Sequence, residues 1–164
     1  MTTLENTNKL SLYKTKGSNN LISIQSSRGS VFENFIRKNS LELLGVEESA
    51  LQGKLVNVMQ EGNGTYKVII DDHYIIEAAN GKSLTIGIEM KNIVGKLTGK
   101  QLEQFANYDI LLQEGKISKI EYIFSNKSAA ELNKKLFSDS FKGVRLKEYD
   151  IKYIEKGQIF TLIK

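Results

Sequence analysis

Between Thr65 and Lys91 the chain reads TYKVIIDDHYIIEAANGKSLTIGIEMK, two β-rich runs placed around Asn80-Gly81. An Asn-Gly pair between such runs is the strongest short-range signal for a β-hairpin, because both residues tolerate the backbone angles that a tight turn needs. This stretch therefore has to fold back on itself as antiparallel strands. Residues two apart on a strand share a face, so Glu89 and Lys91 project together while Met90 turns away. The acidic pair Asp71 and Asp72 lies on the opposite arm of the hairpin, which can bring one of them to the edge where Glu89 and Lys91 emerge. Neighbours on a strand face opposite ways, so Asp71 and Asp72 cannot both share the face of Glu89 unless the strand bulges.

Two carboxylates and a lysine at one strand end suit phosphodiester hydrolysis with a divalent metal. Carboxylate oxygens bind hard cations such as Mg²⁺, which keep several waters and contact a substrate phosphate. The metal lowers the pKa of bound water and screens charge during in-line attack, and a nearby lysine orients that water or neutralises the developing charge.

The flanking sequence predicts the remaining elements. Ser30 to Leu44 has the apolar spacing of an amphipathic helix, and Ser30 with Glu33 makes a capping-box pattern. A strand over Lys54 to Met59 precedes the hairpin, giving three strands centred near 57, 68–77 and 87. Thr98 is placed to cap a helix through about Gln113, which Gly115 closes. Ile117 to Phe124 reads as a buried strand. Ser128 and Glu131 form a second capping-box pattern, opening a helix to about Phe141 that Gly143 ends. Val144 to Ile151 and Gln158 to Ile163 read as strands joined at Glu155 to Gly157. This order is an α/β fold, a central mixed sheet with helices on both sides. Residues 1–27, rich in Asn, Thr, Ser, Lys and Gly, read as a flexible lead-in with one short strand at Leu21 to Ile24, and residues 28–164 as a single domain.

An Asp, a spacer and then Glu89-Met-Lys91 at a strand end resemble the PD-(D/E)XK restriction endonuclease-like superfamily. IGIEMKNIVGKLTGKQLEQFANY, residues 86–108, is similar to its toxin branch. The likeness covers roughly residues 29–125 and implies the αβββαβ core of that superfamily, although no proline precedes the aspartate here. Asp72, followed by His-Tyr-Ile-Ile, resembles the aspartate that opens an apolar strand in the family, and is preferred to Asp71 as a metal ligand with Glu89. Gly29-Ser-Val-Phe-Glu33 occupies the place of an early helical glutamate that faces the metal, so Glu33 carries two readings, helix cap or ligand. Thr98-Gly-Lys100-Gln101-Leu102 matches a Thr-x-x-Gln-Leu segment that sends its glutamine to the metal-bound water or phosphate. Lys100 then becomes a nucleic-acid contact or remains a solvated surface lysine. His73, the single histidine, and Tyr108 are read as incidental and as packing respectively.

Composition limits the rest. The absence of cysteine excludes disulfides and thiolate metal sites, and no apolar run approaches the roughly 18 residues of a membrane span. MTTLENTNKLSLYKTKGSNN has no apolar core of a signal peptide. The net charge is +4, and residues 1–91 are balanced at 10 basic and 10 acidic, so the whole excess follows Lys91. Such an excess either guides a polyanion or makes a solvated surface.

The expected function is a metal-dependent endonuclease, using Mg²⁺ or another divalent metal such as Mn²⁺ or Zn²⁺. The resemblance implies the toxin domain of a secreted bacterial effector of the contact-dependent growth inhibition type, acting in the target-cell cytoplasm and blocked by a cognate immunity protein. DNA is the first substrate expected and tRNA the second. Rival expectations are a Holliday-junction resolvase or repair nuclease, and a non-enzymatic protein-binding module.

Overall fold

A computed structural model describes residues 28–140 and 148–162. Helices α1 (Arg28–Lys38) and α2 (Ser40–Leu44) and a short 3-10 turn, Glu48–Ala50, lead into a hairpin of β1 (Leu55–Glu61) and β2 (Gly64–Ile70). Then follow β3 (Asp72–Glu77), β4 (Ser83–Lys91), α3 (Gly99–Gln113), β5 (Lys119–Phe124), α4 (Lys127–Ser140), β6 (Tyr149–Glu155) and β7 (Gln158–Thr161). The fold is α/β. Its five-stranded sheet is mixed, in the order β3-β4-β5-β6-β7, with β4, β5 and β6 parallel and the outer strands antiparallel to their neighbours.

Each face of this sheet buries its own core, because alternate side chains of every strand point to opposite sides. On one face Ile120, Tyr122, Phe124, Tyr149 and Ile151 pack with Phe105, Tyr108 and Leu111 of α3 and Ala129, Ala130 and Phe137 of α4. The β1–β2 hairpin lies on the same side, contributing Met59, Val68 and Ile70. Gly87 permits this approach: a Cβ there would stand 3.2 Å from Cδ1 of Ile70. Across the sheet, Ile86, Ile88, Met90 and Ile123 pack against Phe32, Phe35 and Ile36 of α1.

The expected helix over 30–44 is two helices, starting earlier at Arg28 and interrupted at Asn39, whose side-chain amide donates to the carbonyl of Phe35. Ser30 thus lies inside α1, not at its cap. The single strand expected near 68–77 is divided at Asp71. β2 pairs only with β1 in a separate two-stranded sheet, and β3 joins the main sheet. At α4 the cap is Asn126 instead of Ser128, its Oδ1 accepting the Ala129 N–H at 2.8 Å. The lead-in at 1–27 with its strand at Leu21 to Ile24, the stop at Gly143, the start of the strand over 144–151 and Ile163 lie outside the described residues.

Candidate functional site

The site is built where β4 runs on past β3. The antiparallel register sets His73 opposite Gly87 and Asp72 opposite Ile88, so one step further Asp71 stands opposite Glu89. β3 begins only at Asp72, and the backbone of β4 beyond that point is taken up by a side chain. Asp71 Oδ2 accepts the Met90 N–H at 2.8 Å, while Glu89 Oε1 accepts the Asp71 N–H at 3.2 Å. These two bonds hold the carboxylates of Asp71 and Glu89 at one strand end.

Lys91, on the same face as Glu89, places its Nζ 2.9 Å from Glu89 Oε2 and donates to Gln104 Oε1 of α3 at 3.1 Å. A cavity of about 340 Å³ opens over this group, lined by Glu33, Asp71, Glu89, Lys91, Gln101 and Gln104 among others. Glu33 comes from α1 and the glutamines from the first turns of α3. Elements packed on opposite faces of the sheet therefore meet at the C-terminal end of β4.

Electrostatics here are unbalanced. Three carboxylates share the cavity with one lysine, and Glu89 is only 2% exposed. Burial pushes the Glu89 carboxyl up to about 7, the charge of Asp71 adds to that push, and Lys91 opposes it. Glu33 is also raised, first by burial and then by Asp71. Tyr108 is fully buried on α3 and donates its hydroxyl to the Ile69 carbonyl at 2.9 Å. Its phenol is raised by burial and by the neighbouring Glu89. A second buried phenol, Tyr122, sits on β5 directly beside Glu89 in the parallel register, and its hydroxyl has no hydrogen-bond partner among the described residues.

The expected site residues divide. Glu89, Lys91, Glu33 and Gln101 line the cavity. Gln101 is at the same time part of the helix cap, its Oε1 accepting the Thr98 N–H at 2.9 Å and the Thr98 hydroxyl at 3.1 Å, which leaves the amide nitrogen for a ligand. Asp72 is not in the cavity. Register turns it to the α1 face, where both oxygens are engaged: Oδ2 with Arg37 Nε at 2.6 Å, and Oδ1 with the N–H groups of Gly53 and His73 at 2.8 Å. Asp71 occupies the position expected for Asp72. Lys100 is exposed and does not line the cavity. His73 Nδ1 lies 2.8 Å from the Gly53 carbonyl.

Gln104 is the cavity residue that the sequence did not single out, while Tyr108 packs as expected, buried and outside the cavity lining. The signal was present, since Gln101, Gln104 and Tyr108 recur at three and four residues and so share one helical face.

The donor set suits a hard cation. Among the described residues no three His, Cys, Asp or Glu side chains form a closed metal-binding group, so Glu33 shares the cavity without closing on the other two carboxylates. Mg²⁺ does not require such a cage, being held by one or two carboxylates with waters and substrate phosphate. Asp71 and Glu89 meet that requirement with oxygen alone. Zn²⁺, which favours thiolate and imidazole, would find no cysteine in the chain and its single imidazole turned to Gly53.

No protein-family model, no curated protein and no solved structure matches this chain.

Proposed function

We propose that the chain is a metal-dependent nuclease of the PD-(D/E)XK type, with Asp71, Glu89 and Lys91 as its central residues. The observation that carries this reading is the meeting of Asp71, Glu89 and Lys91 in one cavity, with more carboxylate than ammonium. The parallel pairing of β4 and β5 across α3 supports the reading, although four strands precede α3 where the αβββαβ core has three, and β1 and β2 form a sheet of their own. A divalent ion between the two carboxylates and a substrate phosphate would supply Lewis-acid charge and a more acidic water.

The protein's own groups supply the rest of the chemistry. The Met90 N–H holds the Asp71 carboxylate and the Asp71 N–H holds that of Glu89, so their oxygens need little reorganisation on binding. Lys91, oriented by Gln104, directs its ammonium at the entering water and at charge developing on the phosphoryl oxygens. The Gln101 amide nitrogen donates to a phosphate oxygen, and Glu33 adds a carboxylate from the opposite wall. Tyr108 blocks the inner side of Glu89 and keeps bulk water from it. In biological terms the reading is a toxin domain of a secreted bacterial effector that acts in a target cell and is held inactive by an immunity protein.

Incubation of the purified chain with plasmid DNA and, separately, total tRNA tests this, each with Mg²⁺ or EDTA, beside Glu89→Gln and Lys91→Ala. Metal-dependent cleavage of one substrate that both variants lose supports the nuclease and identifies the polymer. Intact DNA and tRNA in every lane, with wild-type protein folded by circular dichroism, would remove the reading.

A further inference from the structure

Adjacent aspartates separate at the end of β2, and the one turned away from the cavity has an unusual concentration of partners. Asp72 is 1% exposed and joins three parts of the chain: Arg37 of α1, Gly53 in the segment before β1, and its own strand at His73. Further bonds close the same knot, His73 Nδ1 lying at 2.8 Å from the Gly53 carbonyl and the Gln52 N–H donating to the His73 carbonyl at 2.8 Å. Such a buried carboxylate with every oxygen engaged gives geometric definition more reliably than it gives net stability.

Arg37 and Glu33 are four residues apart on α1 and lie along one edge of the helix. Phe32, Phe35 and Ile36 attach α1 to the sheet through apolar contacts, which are not directional and tolerate rotation about the helix axis. The Arg37 to Asp72 bond is directional, and it is placed one turn beyond the residue that enters the cavity.

We propose that the Arg37–Asp72 ion pair is a positioning device for Glu33, setting the rotation of α1 so that the Glu33 carboxylate is presented to the metal site formed by Asp71 and Glu89. The proposal rests on the metal-dependent reading above. It gives the two neighbouring aspartates complementary tasks: Asp71 holds the cation directly, and Asp72 places the third carboxylate. Shared backbone makes both tasks depend on one register of β3 against β4.

The test is a double-mutant cycle read by isothermal titration calorimetry of Mn²⁺ into the full chain, without nucleic acid. Glu33→Gln in the wild-type background should weaken Mn²⁺ binding by about tenfold, the scale found when metal-supporting groups are removed. In an Asp72→Asn background Glu33→Gln should change the affinity less than twofold, because Glu33 is no longer held at the site. Arg37→Gln provides the same cycle if Asp72→Asn does not fold, and Arg37→Lys should restore part of the coupling. Equal effects of Glu33→Gln in both backgrounds would overturn the positioning role while leaving the metal site in place. A wild-type affinity that Glu33→Gln does not alter would also overturn it. Absence of any Mn²⁺ binding to the folded wild type would instead remove the metal-dependent reading and the proposal with it.

Discussion

Charged side chains lie on both faces of the central sheet, and the two faces treat them differently. On the α1 face, Glu121 meets Lys152 at 3.1 Å and Lys119 pairs with Asp150, one cation for each carboxylate. At the end of β4, Glu33, Asp71 and Glu89 line the cavity with Lys91, while Lys54 and Arg37 act on Glu33 from outside it. Paired charges compensate one another's desolvation, whereas crowded carboxylates raise the energy of the empty site. Glu89 is pushed up to about 7 by burial first and by Asp71 second. On the proposed reading, a cation supplied from outside would relieve such crowding.

Activity should separate the two regions most sharply. Glu89→Gln and Lys91→Ala are each expected to lower nucleolytic kcat by about 10³-fold, while Lys152→Ala should leave activity per folded molecule within about twofold. A loss from Lys152→Ala equal to that from Lys91→Ala would erase the distinction.

Stability should move the other way. Asp72→Asn breaks a buried pair and is expected to lose about 3 kcal/mol in urea denaturation, with Arg37 left without its partner. Asp71→Asn removes one of the crowded charges and should leave the metal-free chain as stable as wild type or slightly more so, while abolishing cleavage. A stability loss at Asp71 matching that at Asp72 would contradict the difference drawn between them.

Lys152→Ala leaves the Glu121 carboxylate without its cation and should lower stability by about 2 kcal/mol, a smaller cost than at Asp72, whose carboxylate serves three partners.

pH dependence sharpens the contrast with a smaller effect. The ordinary Glu89 value of 4.5 rises to about 7 on folding, so between those values the folded chain keeps a proton that the unfolded chain has released. Stability in EDTA should therefore fall as pH rises from about 4.5 to 7, and Glu89→Gln should flatten that slope. Glu33, also raised, adds in the same direction. Added Mg²⁺ should raise the melting temperature more at pH 8 than at pH 5.5, because the metal competes with the proton. A wild-type slope unchanged by Glu89→Gln would mean that the carboxylates are not crowded in solution.

Much of this arrangement is legible in the sequence where local chemistry decides it. Thr98 and Gly115 bracket α3, the spacing of Glu89 and Lys91 fixes their common face, and Asn80-Gly81 marks the reversal, with Gly81 at a φ of +83°. What could not be read is the register. A two-residue turn at Asn80-Gly81 pairs Ala79 with Lys82 and sets Asp72 opposite Glu89. The observed loop has three residues, 79–81, closed by the Ala78 N–H donating to the Lys82 carbonyl at 2.8 Å, and pairs Glu77 with Ser83. One residue of difference exchanges the faces of Asp71 and Asp72. The division of VIIDDHYII between two sheets was equally hidden, since it contains no glycine or proline and is set by β2 packing over Gly87. The place of Gln104 follows from how α3 sits against β4, a tertiary relation that helical spacing alone does not supply.

The most direct measurement is Mg²⁺-dependent cleavage of plasmid DNA and tRNA by Asp71→Asn and Asp72→Asn side by side, normalised to folded protein. The account predicts no cleavage by Asp71→Asn at any Mg²⁺ concentration, and cleavage by Asp72→Asn that is weakened at low Mg²⁺ and recovers as Mg²⁺ is raised. An active Asp71→Asn beside an inactive, folded Asp72→Asn would contradict it.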